Sequence, residues 1–219
     1  MVMRQAARVA YWAAAGAAIL VFLYGVFLVV GIWRPVEMPS LVPIFLLGPT
    51  VVVLMSALHH LTPPERQVWS QISLSFAIIY ATLVAPVHYL QLTVVRLNTP
   101  PFTADALRLI RLTSGSPTFA LDLLGYTFLS LATWALVPTL GKGPETLTVR
   151  RLLTLHGVLA IPTVVVPAFG IGGDISPGGS GEFFGRLAML LWCVVFVPMA
   201  AALARYLRST WIRGDSCHR

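Results

Sequence analysis

Charge is what this sequence most lacks. Only 11% of its 219 residues are Asp, Glu, Lys or Arg, against about a quarter in an average soluble domain. Cysteine is scarce too: Cys193 lies in an apolar run and Cys217 in a polar tail. Lysine occurs once, at Lys142. Each shortage excludes something. A chain that is 57% apolar, with a mean hydropathy of +0.82, has too few polar residues to cover a water-soluble surface. An ordinary soluble enzyme and a disordered chain are therefore excluded. Two cysteines so placed, with no Cys-x-x-Cys or Cys/His spacing, exclude a disulfide scaffold and a cysteine metal site. A single lysine in a polar loop excludes an intramembrane Schiff base, which needs a buried amine. No phosphate loop, HExxH or Ser/His/Asp pattern is present.

What the chain has instead is apolar length. A bilayer core of roughly 30 Å needs about 20 helical residues. Six runs meet that need: 9–33, 41–61, 68–95, 119–140, 152–171 and 186–207. Arg4 and Arg8 precede the first run, as in a signal peptide. The run is far longer than the roughly 7–15 residues of a signal core, so an uncleaved span is expected. Its stretch Ala13-Ala14-Ala15-Gly16-Ala17-Ala18 suits close helix packing. Prolines recur within the runs, at Pro43, Pro49, Pro86, Pro138, Pro162, Pro167 and Pro198. Kinks at these positions favour a cavity between helices.

The formal charge of +7 belongs to the ends of these runs rather than to a nucleic-acid surface. With the N-terminus inside, ten Arg and Lys fall on the inner side and five on the outer. The positive-inside bias then predicts a cell-membrane protein with both termini cytoplasmic. Arg96, Arg108 and Arg111, in the third-to-fourth loop, run against that bias.

That loop predicts a short helix of its own. Thr103 can cap a helix beginning at Ala104, Asp105 suits its first turn, and Gly115 and Pro117 end it. Leu109, Ile110 and Leu112 give it apolar area for the membrane interface, across the mouth of the bundle. The fifth-to-sixth loop, Gly172 to Gly181, is glycine-rich and has no phosphate-loop signature.

Polar side chains inside apolar runs are costly, roughly 2.5–3.5 kcal/mol for a charge at a helix centre. In the third run Ser73, Ala77, Ala81, Val84, His88 and Gln91 share about 80° of helical arc, with Tyr80 at its border. In the fourth, Asp122, Gly125, Tyr126, Leu129 and Thr133 form a second stripe. Asp122 is the one acidic residue within any run. Helix rise places His88 roughly 10 Å, Gln91 roughly 6 Å and Asp122 roughly 5 Å below the outer surface. Asp122 can thus reach Gln91 or His88. Such a pair can relay a proton, hold a cationic ligand or bridge two helices. His88, Gln91, Asp122, Tyr126 and Tyr80 are the candidate ligand or proton-relay residues.

The inner side holds His59 and His60 at the end of the second run and His156 at the opening of the fifth. Two facing histidines can ligate a b-type haem, which makes His60 and His156 the candidate ligands. His59 and His60 are adjacent and point about 100° apart. No metal motif accompanies them, and the expected cofactor list is empty.

The segments Ile79-Tyr80-Ala81-Thr82-Leu83-Val84 and Gln91-Leu92-Thr93-Val94-Val95, with Leu121-Asp122-Leu123-Leu124-Gly125-Tyr126 and Leu129-Ser130-Leu131-Ala132-Thr133, resemble a group of uncharacterised bacterial polytopic membrane proteins. The resemblance covers mainly the third and fourth runs. It implies a polytopic membrane protein and no particular activity.

Together these features predict an all-α, single-domain integral membrane bundle of about six transmembrane helices. The leading functional expectation is a bundle that binds or passes a small apolar or cationic ligand through a cavity between spans three, four and five. The alternatives are a membrane redox protein or enzyme using the inner histidines, and an accessory subunit mated to a partner's spans. Expected partners are the lipid bilayer, such a ligand, and a second copy or partner subunit, without nucleic acid.

Overall fold

A computed structural model describes residues 2–33, 37–98, 102–113, 115–169 and 180–216. Among them there is no strand. The helices are α1 (Val2–Val30), α2 (Glu37–Leu61), α3 (Gln67–Leu90), α4 (Ala104–Ile110), α5 (Pro117–Leu136), α6 (Pro144–Val158), α7 (Ala160–Ala168) and α8 (Ser180–Ser216). A short 3₁₀ turn, Pro64–Arg66, leads into α3, and a π-helical turn, Gln91–Val95, prolongs it. Six segments are long and apolar enough to cross a membrane, with α6 and α7 together forming the fifth. The chain is an all-α multi-pass membrane bundle.

Side-chain contacts fix the register between neighbouring spans. Between α2 and α3, Gly48 meets Ala81 and Ala85, Met55 meets Ser73, and His59 meets Ser70. Between α3 and α5, His88 meets Asp122, Tyr80 meets Tyr126, and the Ser73 hydroxyl donates to the Ala132 carbonyl. Between α5 and α6–α7, Thr127 meets Thr163 and Thr133 meets His156. Between α1 and α8, Gly25 meets Cys193 and Arg186 reaches the Gly31 carbonyl. In each series one number rises as the other falls, so every pair is antiparallel. The α1–α2, α6–α8 and α1–α8 packings close these pairs into a ring. One end of the bundle carries the start of α1 and the end of α8, the terminal face. The other carries α4.

The outer surface of the ring is apolar. Val194 is 68% and Phe22 58% exposed on the outer surface. Hydrocarbon, not water, is the solvent that suits such a surface. Inside, α1 contributes Ala7, Ala10, Ala14 and Ala17 to a small-residue ridge, which lets neighbouring backbones approach.

Several boundaries differ from expectation. The fifth span begins at Pro144 rather than near 152, because an amphipathic stretch with Glu145, Arg150 and Arg151 is helical too. It then breaks at Leu159. Pro162 has no N–H for the Val158 carbonyl, which explains the break. Pro43 and Pro49 leave α2 a single helix. Thr103 does cap α4, accepting from the Ala106 amide at 3.3 Å. That helix ends at Ile110, before Gly115 and Pro117, and Pro117 instead opens α5 behind the Ser116 cap. The glycine-rich stretch from Gly172 lies largely outside the described residues, as does Cys217.

The helices α3 and α5 pack tightly at Gly125. A Cβ there would overlap the Val84 Cγ2 methyl and touch Leu83 and Tyr80. Gly125→Ala is expected to destabilise the bundle by about 1–3 kcal/mol through overpacking. Thermal unfolding in detergent checks this. Adding Val84→Ala should restore much of the loss, a non-additive outcome that places the strain at this contact.

Candidate functional site

The interior between α3, α5, α6 and α8 carries most of the polar side chains singled out by sequence. They fall into two kinds: those that have found partners and those that have not.

Gln91 is of the first kind. Its Nε2 donates to the Ile110 carbonyl at 2.8 Å, and its Oε1 accepts from the Leu112 amide at 2.9 Å. Both ends of the amide are committed to the end of α4 and the segment just after it. Thr118 reinforces that segment by donating to the Arg111 carbonyl at 3.0 Å. The π-helical turn at Gln91 changes the facing of α3 where this clamp forms, a type of irregularity common at functional positions. Gln91 therefore holds α4 to the mouth of the bundle.

His88 and Asp122 lie one turn deeper. His88 is 2% and Asp122 5% exposed. The His88 Nδ1 lies 3.0 Å from the Val84 carbonyl. A carbonyl only accepts, so Nδ1 carries the proton. The same nitrogen is 3.5 Å from Asp122 Oδ1, an ion-pair distance that leaves Oδ1 without a hydrogen bond. Tyr24, Tyr80 and Tyr126 lie within electrostatic reach of this carboxyl.

From Asp122 a seam of polar atoms descends along α5 through Tyr126 and Ser130 to Thr133, about 16 Å of helix rise. The aromatic rings beside it are continuous. Tyr80 and Tyr126 have centroids 6.1 Å apart, Tyr126 and Trp192 4.9 Å, Trp192 and His156 6.0 Å, and His156 and Phe196 5.3 Å. At the lower end the Thr133 hydroxyl donates its one proton to the Ser130 carbonyl at 2.8 Å. Thr133 Oγ1 must then accept from His156 Nδ1, 2.8 Å away, leaving His156 Nε2 as an acceptor.

Along this seam six buried atoms have no hydrogen-bond partner: Tyr80 OH, Asp122 Oδ1, Tyr126 OH, Ser130 Oγ, His156 Nε2 and Trp192 Nε1. Four are donors and two acceptors. Leaving such a group unmet costs about 1–3 kcal/mol each.

The inner histidines are arranged differently from the sequence expectation. His156 is 0% exposed. Because its span starts at Pro144, it lies twelve residues, about 18 Å, into α6. It is not near a surface. His60 is exposed on an outward groove between α1 and α2, and His59 Nδ1 sits 2.8 Å from Ser70 Oγ. His60 and His156 thus do not face each other. No group of three or more His, Cys, Asp or Glu suited to a metal is present among the described residues.

Sequence reasoning missed Tyr24, Trp192 and Ser130. Ser130 lay one turn beyond Tyr126 at the edge of the stripe, where a wider arc would have included it. Tyr24 and Trp192 sit in wholly apolar runs and carry no local signal.

Compared with known protein families, curated proteins and solved structures, the chain matches none.

Removing the clamp has a local readout. In Gln91→Leu the Leu112 amide loses its acceptor, and the Ile110 carbonyl its donor. Hydrogen exchange at Leu112 is expected to speed up about fivefold, from about 1 kcal/mol of lost hydrogen bonding, while amides in α5 below Asp122 keep their protection.

Proposed function

We propose that this protein binds a small cation, the proton being the smallest, at Asp122 beside His88, and passes it along the seam toward His156. The observation that carries this reading is the six unpaired polar atoms along one line of the interior. Elsewhere in the same bundle, residues that serve only as helix glue are satisfied. Ser73 bonds Ala132, Thr127 bonds Thr163 and Gln91 bonds both sides of the α4 connection. Glue does not explain donors and acceptors left bare side by side, since each is a penalty without return.

The chemistry suits a cation more than an apolar guest. Asp122 is the buried acidic residue among the described residues, and the described interior offers it no Arg or Lys. Phenol rings flank it, and their faces favour positive charge. His88 presents its Nδ1–H at 3.5 Å from the carboxyl. Tyr80, Tyr126 and His156 are fully buried, which suits a proton or bare ion better than a bulky organic molecule. The small void between α2, α5, α6 and α8 is walled by Leu54, Leu129, Leu153, Phe196 and other apolar side chains, with Thr133 the one polar residue beside it, so it suits a polar guest poorly. Uptake from the α4 face would pass the Gln91 clamp.

Flux measured in liposomes tests the proposal. With the full chain reconstituted around a trapped pH dye, an imposed potassium diffusion potential should drive proton entry. Asp122→Asn keeps the shape and removes the charge. It is expected to fold with an unchanged melting temperature and to lower the flux at least tenfold. A folded Asn variant with parental flux would sink the reading.

A further inference from the structure

The interior seam is built differently at its two ends. Toward the α4 face, polar side chains continue past Asp122. Thr118 precedes it by one turn on the same side of α5, about 6 Å nearer that face. Ser116 and Gln91 are buried at the same end. Ser116 meets Thr118, and Gln91 and Thr118 bond the backbone of residues 110–112. Arg111 in that segment is exposed, so the polar path from Asp122 reaches the surface.

Toward the terminal face the path stops. Every buried side-chain atom left unpaired among the described residues lies level with His156 or nearer α4. Below His156 the interior holds Leu58 of α2, Leu136 of α5, Val149 and Leu153 of α6, and Leu203 and Leu207 of α8, all in one buried apolar cluster. From His156 down to Thr146, α6 descends about 15 Å. Ser70, Thr139 and Thr146, buried near the terminal face, give their protons to nearby carbonyls. A moving proton needs a hydrogen-bonded chain and an ion needs ligands; leucine and valine supply neither.

The top of this layer is loosely packed. The void beside Thr133 holds about 10 Å³, and Met55, Met199, Leu153 and Leu203 are among its walls. A buried water needs about two to four polar partners, and Thr133 alone borders this space. Methionine is unbranched and flexible, so two of the walls can move aside.

We propose that the cation site is served from the α4 face alone in this form of the bundle, and that the apolar layer beneath His156 is a hydrophobic gate. The layer must take up water before charge can leave at the terminal face. The inference rests on the cation reading of the seam. Apolar constrictions gate channels by dewetting in this manner. Leu153, one turn below His156, and Leu203, on another wall of the void, are the residues that keep the layer dry. A serine at either position gives the void a second polar neighbour, and its hydroxyl can bond its own helix.

Proton flux in liposomes holding the full chain tests the gate. Leu153→Ser should raise potential-driven flux at least tenfold, and adding Asp122→Asn should abolish the rise. Leu203→Ser should act in the same direction. Parental flux in the folded serine variants, or a rise that persists without the Asp122 charge, would overturn the gate. The effect of Asp122→Asn in the parent chain is independent of that result, so failure of the gate is separable from failure of the cation reading. A second measurement uses the unaltered chain in sealed proteoliposomes of known orientation. The groups that titrate around Asp122 are His88, Tyr24, Tyr80 and Tyr126, and none has a carboxylic C=O band. A pH jump on the α4 side should change that band of Asp122 at least tenfold faster than the same jump on the terminal side. Equal rates from both sides would contradict the gate, and no change from either side would remove the cation reading and the gate with it.

Discussion

A polar group in hydrocarbon has no water to turn to, and this bundle is organised by that constraint. Helices satisfy their own backbones. The side chains then sort themselves by what they can reach across the ring. Ser73 finds a carbonyl of α5, Thr127 finds Thr163, and Thr133 finds both its own helix and His156. These bonds fix the vertical register of α3, α5 and α6–α7. Gly125 then lets α3 and α5 approach closely enough for His88 to come within 3.5 Å of Asp122.

The same constraint makes the exceptions meaningful. A carboxyl oxygen, two phenols, a serine hydroxyl, an indole N–H and an imidazole nitrogen stay bare in a medium that penalises each of them. They are not scattered. Four neighbours in the ring, α3, α5, α6 and α8, contribute one or more each, and the aromatic rings between them touch in sequence. A line of unpaired donors with an acceptor at Asp122 and another at His156 suits movement of a small charge better than static support. The α4 connection covers one end of this line and is held there by the Gln91 amide, with both of its ends engaged, and by Thr118.

Much of the frame was legible in the sequence because it depends on local pattern. Apolar run length found six spans, and the Thr103 cap found α4. Counting helix rise brought His88 and Asp122 to within about one turn of each other without any knowledge of packing. What escaped was set by distant parts of the chain. His156 was read as superficial because Pro144–Arg151, with its charges, does not look like part of a span. Gln91 stood beside His88 as an alternative partner for Asp122, whereas the chain folds back at the end of α4 and offers it two backbone groups. Tyr24 and Trp192 join the site only because α8 closes the ring against α1 and α6, a pairing no local periodicity encodes.

The central claim is that Asp122 is a titrating group and not a fixed hydrogen-bonding strut. Infrared difference spectroscopy of the reconstituted protein across the pH range in which it stays folded addresses that claim most directly. The account predicts a carboxylic C=O stretch that appears on acidification, vanishes on alkalinisation and is missing in Asp122→Asn. A carboxyl at Asp122 that keeps one protonation state throughout that range would contradict it.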